Sequence, residues 1–168
     1  HLRTIWEFKR SGGACSMPNS RLALGPDGMW YGTTTAGGPS ESGTVFRVAA
    51  DGSSYKHLWS FSVETLGLFP TGVIVDPSSG ALCGVTAGGG KYGFGVIFRL
   101  TPGGRYKVLH QFRGGAGDGR APGGGLLLAS DGHLYGATIY GGRNDSGTLF
   151  RIKPDGSGFS VIHHHYHL

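Results

Sequence analysis

Three copies of one motif at a constant step constrain this chain more than any other feature. Tyr31-Gly32-Thr33-Thr34, Cys83-Gly84-Val85-Thr86 and Tyr135-Gly136-Ala137-Thr138 each lead into a glycine pair. Each pair is followed by an apolar run ending in arginine: Gly43-Thr44-Val45-Phe46-Arg47, Gly95-Val96-Ile97-Phe98-Arg99 and Gly147-Thr148-Leu149-Phe150-Arg151. The step is 52 residues, and Pro18, Pro70 and Pro122 keep it. Self-similarity at a period of about 50 marks repeat architectures, in which one unit buries its apolar faces only against its neighbours.

Each unit reads as four short apolar runs separated by turn chemistry. In the third unit these are Leu126-Leu127-Leu128, then residues 133–138, 147–152 and 159–162. Between them lie Ser130-Asp131-Gly132, Gly141-Gly142 and Pro154-Asp155-Gly156. Proline presets the first central position of a turn and glycine accepts a positive φ at the next. Aromatic and β-branched residues fill the runs, as pleated strands prefer, and no 3.6-residue period is sustained. With 34 glycines in 168 residues and 38% hydrophobics, the chain is neither disordered nor collagen-like.

Four antiparallel strands per unit predict an all-β fold of propeller type, with three four-stranded blades over residues 18–69, 70–121 and 122–168. Ile5-Trp6-Glu7-Phe8 matches the fourth run of a unit, beside Leu58-Trp59-Ser60-Phe61 and Leu109-His110-Gln111-Phe112. Residues 1–17 therefore read as an extra outer strand and its loop. Leu2, Ile5, Trp6 and Phe8 are the residues with which it would add to an exposed edge of another copy.

The motif Tyr-Gly-x-Thr, Gly-Gly, Gly-Thr-Val-Phe-Arg resembles the Gloeo/Verruco (GloVer) tandem repeat of exported bacterial proteins. It runs through all three units, most fully in residues 31–47 and 135–151, while Cys83, Val85 and Val96 depart from it in the middle unit. The resemblance implies a secreted or cell-surface propeller-like protein and brings no catalytic residues with it.

Chemical signatures are sparse. The net charge of +5 is scattered, unlike the clustered basic and aromatic face of a nucleic-acid binder. No apolar stretch approaches the ~20 residues of a membrane span. The opening His1, without methionine or leader, suits a processed chain or an excerpt. Gly88-Gly89-Gly90-Lys91 lacks the spacing of a phosphate loop and reads as a turn. No cofactor or metal site is expected: the run His163-His164-His165 alternates across a strand and cannot converge on one ion, His163 taking the slot of Trp59 and His110. Cys15 and Cys83 leave two readings open, a disulfide or a buried thiol. Glu7, Glu41 and Glu64 are candidates for glycosidase carboxylates only by elimination.

The candidate binding residues are of two kinds. Arg47, Arg99 and Arg151 recur after the third-run phenylalanine, either as a ring gripping an acidic or sugar ligand or as a scaffold feature. Trp30, Tyr92 and Tyr140, with Tyr31 and Tyr135, flank the Gly-Gly loops and suit sugar stacking or packing between blades. Asn144-Asp145-Ser146 is a glycosylation sequon. The function expected is a non-enzymatic extracellular module that self-assembles into a ring or filament. The alternatives are a lectin and, more remotely, a glycoside hydrolase.

Overall fold

The computed structural model describes residues 3–8 and 16–166. The described residues form three antiparallel sheets and no helix. The first holds β1 (Ser16–Pro18), β2 (Ala23–Leu24), β3 (Trp30–Ala36), β4 (Thr44–Val48) and β5 (Tyr55–Ser60). The second holds β6 (Leu68–Val75), β7 (Leu82–Gly88), β8 (Val96–Leu100) and β9 (Tyr106–Gln111). The third holds β10 (Gly119–Leu128), β11 (Leu134–Gly141), β12 (Thr148–Ile152) and β13 (Ser160–His164). Each sheet is a meander in chain order, the blade of a propeller. Blades 2 and 3 begin at Leu68 and Gly119, slightly ahead of the proline step.

The repeated motif is the grammar of the blade. Gly32, Gly84 and Gly136 stand opposite Phe46, Phe98 and Phe150 in the ladder. A Cβ there would lie 2.6 Å from the ring tips of Phe46 and Phe98, and the third site is as tight. Only glycine leaves room for the ring. Gly43 and Gly95 receive Pro70 and Pro122 of the following blade, where a Cβ would meet proline Cδ at 2.5 and 2.8 Å. The proline step is thus a contact between blades. Pro70 and Pro122 are buried, whereas Pro18 is exposed.

Two clusters fill the spaces between blades. Tyr31, Val45, Phe61, Val73, Leu82, Phe98 and Leu100 join blades 1 and 2. Cys83, Val85, Ile97, Phe112, Leu134, Phe150 and Ile152 join blades 2 and 3. Strand β8 sends Phe98 to one side and Ile97 to the other, so the middle blade is covered on both faces. Strand β12 carries the same sequence pattern yet alternates in burial, and Leu149 is 37% exposed where Val45 and Ile97 are 0%. Among the described residues no fourth blade lies beside it, and its second face is open.

The extra N-terminal strand is present in the first sheet, but not at residues 3–8. Residues 3–8 form no ladder, and Leu2 lies outside the described residues. The thirteenth strand comes instead from blade 1, whose inner strand is split into β1 and β2, both pairing with β3. Residues 3–8 nevertheless occupy a fourth-strand position. Trp6 stacks on Tyr55 at 4.4 Å and Phe8 meets Phe46 edge-on at 5.0 Å. Trp59–Tyr106 (4.7 Å) and Phe61–Phe98 (5.1 Å) repeat this between blades 1 and 2. His110–Phe159 (3.6 Å) and Phe112–Phe150 (5.3 Å) repeat it between blades 2 and 3. The segment grips blade 1 as an outer strand of a preceding blade would, but among the described residues no third strand lies beside it to complete a ladder.

Candidate functional site

Antiparallel register divides the candidate residues between the two ends of the blades. Arg47, Arg99 and Arg151 pair with Tyr31, Cys83 and Tyr135, next to the Asp-bearing turns. Trp30 lies at this end too, half-buried and paired with Val48 and Leu24. Tyr92 and Tyr140 lie at the opposite, Gly-Gly end, both exposed. They belong to no common site with the arginines.

At the Gly-Gly end, Arg120 covers Tyr140, its guanidinium 4.7 Å from the ring centre and 5.9 Å from that of Phe94. Asp145 fixes Arg120, accepting from Nε at 3.2 Å, and also accepts from Gly141 N–H at 2.8 Å. This ion pair holds the Asp145 carboxyl below the ordinary carboxylate range. Tyr92 has Lys91 and Arg113 at 5.6 and 5.8 Å from its ring. Asn144 is exposed in the adjoining turn. Sequence reasoning missed Arg120 and Asp145 because they lie 25 residues apart and only the fold joins them.

At the Asp-turn end each carboxylate caps its own turn. Asp27 accepts from Met29 N–H and from the Tyr31 hydroxyl at 2.8 Å, and Asp131 from His133 N–H and the Tyr135 hydroxyl at 2.7 Å. Burial opposes charge on Asp27, but Tyr31, Met29 and Arg47 outweigh it and lower its pKa. In blade 2, Cys83 replaces that tyrosine and Asp76 turns to the hydroxyls of Ser79 and Ser78, which lower its pKa against a burial penalty. Cys83 is fully buried and burial pushes its thiol up to about 11. Its suggested partner Cys15 lies outside the described residues.

The three arginines differ in what they hold. Arg99 crosses to blade 3, donating Nη1 to Pro154 O at 3.1 Å, and gives Nη2 to Ser79 Oγ at 3.0 Å. Arg151 donates Nε to Ser160 Oγ at 3.3 Å within its own blade. Arg47 donates Nη1 to Asp27 Oδ2 at 3.4 Å and lies beside the Tyr31 hydroxyl, and its Nε is buried with no acceptor among the described residues. Beside it lies a cleft of about 490 Å³ between blades 1 and 2. Its walls include Arg47, Lys56, Tyr31 and Asp27, with Leu58, Leu82 and Leu100.

His163 pairs with Leu149, the position that Trp59 and His110 hold opposite Val45 and Ile97. His163 and His165 meet edge-on at 5.2 Å, and among the described residues no third metal-ligand side chain joins them. The Glu41 carboxylate accepts from Gly37 N–H at 3.1 Å.

Solved structures share this fold at low identity. TolB from Acinetobacter baumannii has a TM-score of 0.61 at 15% identity, over 89% of this chain and 33% of that one. A gluconolactonase from Xanthomonas campestris has a TM-score of 0.58 at 16% identity, over 89% and 48%. The isopeptidase AtxE2 has a TM-score of 0.54 at 10% identity, over 84% and 20%. The chain spans a third to about half the length of the first two. These likenesses bear on fold alone. No curated protein matches the chain. The model of the Gloeobacter/Verrucomicrobia repeat matches residues 1–167, and the chain belongs to that repeat family.

Proposed function

We propose that the chain is a non-enzymatic, extracellular structural module that associates with further copies of itself through its two unfinished blade faces. The observation that carries this reading is the aromatic contact made three times between successive units and left unmade after blade 3. There His163 and His165 stand in the places of Trp59 and Phe61, meeting each other but, among the described residues, no ring of a further blade. The same face exposes Leu127, Leu149 and Ile162. An apolar face of this kind, which the repeat covers everywhere else, is an interaction surface.

The geometry also sharpens how copies join. Residues 3–8 and β13 are equivalent fourth strands, so a neighbour's blade 3 cannot meet blade 1 while both stay in place. Trp6 and Phe8 make the larger apolar contact. In this proposal the leading segment of one copy completes the ladder of β12 in the next and displaces β13. The contact is head-to-tail, giving a ring if the rotation closes and a filament if it does not. A secreted or cell-surface location goes with it, and fractionation of the source cells tests that part.

Light scattering on the full chain is expected to give a multiple of the single-chain mass. The double variant Trp6→Ala/Phe8→Ala and, independently, Leu149→Arg on the open face are expected to give the monomer. A monomeric parent, or an unchanged assembly in Leu149→Arg, overturns the proposal. The lectin reading has less support, because Arg120 already covers the exposed ring of Tyr140. The gluconolactonase among the fold neighbours lends a hydrolase reading only its architecture.

A further inference from the structure

The repeat supplies its own internal control for the cleft between blades 1 and 2. Arg3, Lys56 and Lys107 hold equivalent places on successive fourth strands, each two residues before Ile5, Leu58 or Leu109. Arg3 reaches across to Asp51 O at 3.4 Å, and Lys107 to Asp155 O at 2.9 Å. These bonds close the junctions before blade 1 and after blade 2. Beneath them Gly52 and Gly156 press against the backbone of Ile5 and Leu109.

The middle junction lacks all of this. Lys56 makes no hydrogen bond or ion pair among the described residues, and a Cβ on Gly104, the counterpart of Gly156, would meet nothing within 4 Å. The cause is a turn one residue shorter. Arg99 and Lys107 of blade 2 are ladder partners eight positions apart, whereas Arg47–Lys56 and Arg151–Ser160 are nine apart. The shortened turn at Pro102-Gly103-Gly104 stops short of Lys56 and leaves the cleft. Arg47 cannot cross either, since Asp27 and the Tyr31 hydroxyl hold it back, while Arg99 beside the smaller Cys83 does cross.

We infer that this cleft binds a small organic anion, its carboxylate or phosphate head held by Arg47 and Lys56 and its apolar body over Leu58, Leu82 and Leu100. Lys56, whose counterparts Arg3 and Lys107 find carbonyl acceptors, faces this space without one, beside Arg47, whose only neighbouring carboxylate in the cleft wall, among the described residues, is Asp27 at 3.4 Å. Arg47 Nε, buried and without an acceptor, marks the same deficit. A charged head on a guanidinium forms the stronger, charge-assisted class of hydrogen bond. The inference stands apart from self-association, because the cleft lies within one chain and away from both open faces.

Hexanoate and inorganic phosphate, titrated into the full-length chain and followed by amide NMR shifts, test it. Hexanoate is expected to bind saturably, with a dissociation constant of about 1 mM or tighter, and to move the amides of Arg47, Lys56, Gly103 and Gly104. Phosphate, lacking the apolar body, is expected to bind at least about tenfold more weakly. Lys56→Gln is expected to weaken hexanoate by about tenfold, and Lys107→Gln, at the closed junction, to leave it unchanged. No saturable shift, equal binding of phosphate, or an equal effect of Lys107→Gln overturns the inference.

Discussion

The residues that recur most strictly do so for steric reasons that can be tested one at a time. Gly84 lies under the Phe98 ring and against Gly72 O, where a Cβ would come within 2.6 and 2.5 Å. Gly84→Ala is expected to lower stability by about 1–3 kcal/mol, the range for overfilling a packed interior, read as a lower urea midpoint. The residue before each repeat proline behaves in the opposite sense. Met17, Phe69 and Ala121 all adopt left-handed backbone, with φ of 57°, 58° and 51°. Phe69 and Ala121 donate their N–H to Ser42 O and Phe94 O of the preceding blade at 2.9 Å, which holds them there. The left-handed region costs an ordinary residue about 1–2 kcal/mol, and glycine avoids that cost. Ala121→Gly is therefore expected to raise stability by up to about 1 kcal/mol after glycine's greater unfolded freedom is subtracted, read as a higher urea midpoint.

Strands of matching sequence carry unequal energies according to their neighbours. Ile97 in β8 and Leu149 in β12 hold the same motif position, but one is enclosed between blades 2 and 3 and the other faces outward. In the monomer Ile97→Ala is expected to cost about 2–5 kcal/mol and Leu149→Ala well under half of that, measured by denaturation at high dilution. Equal costs would show that the outer face of blade 3 is covered in the single chain. The consecutive apolar run Val96-Ile97-Phe98 made the two-sided burial of β8 readable from sequence. The inner strands were less legible. β10 runs through Gly119-Arg120-Ala121-Pro122-Gly123, which reads as turn chemistry, because what recommends those residues is the close approach of the neighbouring blade. Residues 3–8 were read as a strand from their match to later fourth strands. Their aromatic contacts follow that match, and their ladder does not, since pairing needs a third strand and a sequence match cannot supply one.

For the whole molecule, the constant step made the number and type of blades legible, and the leftover fourth-strand motif pointed to an unfinished arc. What the step concealed was the difference between junctions. The cations at Arg3, Lys56 and Lys107 were visible in the aligned fourth strands, but their importance depends on whether a turn from the next blade reaches them, and one missing residue at residues 101–105 decides that. The shortened turn has a mechanical consequence. Successive blades pack face to face, and the junctions before blade 1 and after blade 2 are laced along one rim by a cation-to-carbonyl bond. The rim between blades 1 and 2 has no such bond among the described residues and is expected to open more readily than the other two, although its interior is packed. If copies join as proposed, the opening of that rim would set how many close a circle, and a small anion seated in it would act as a shim.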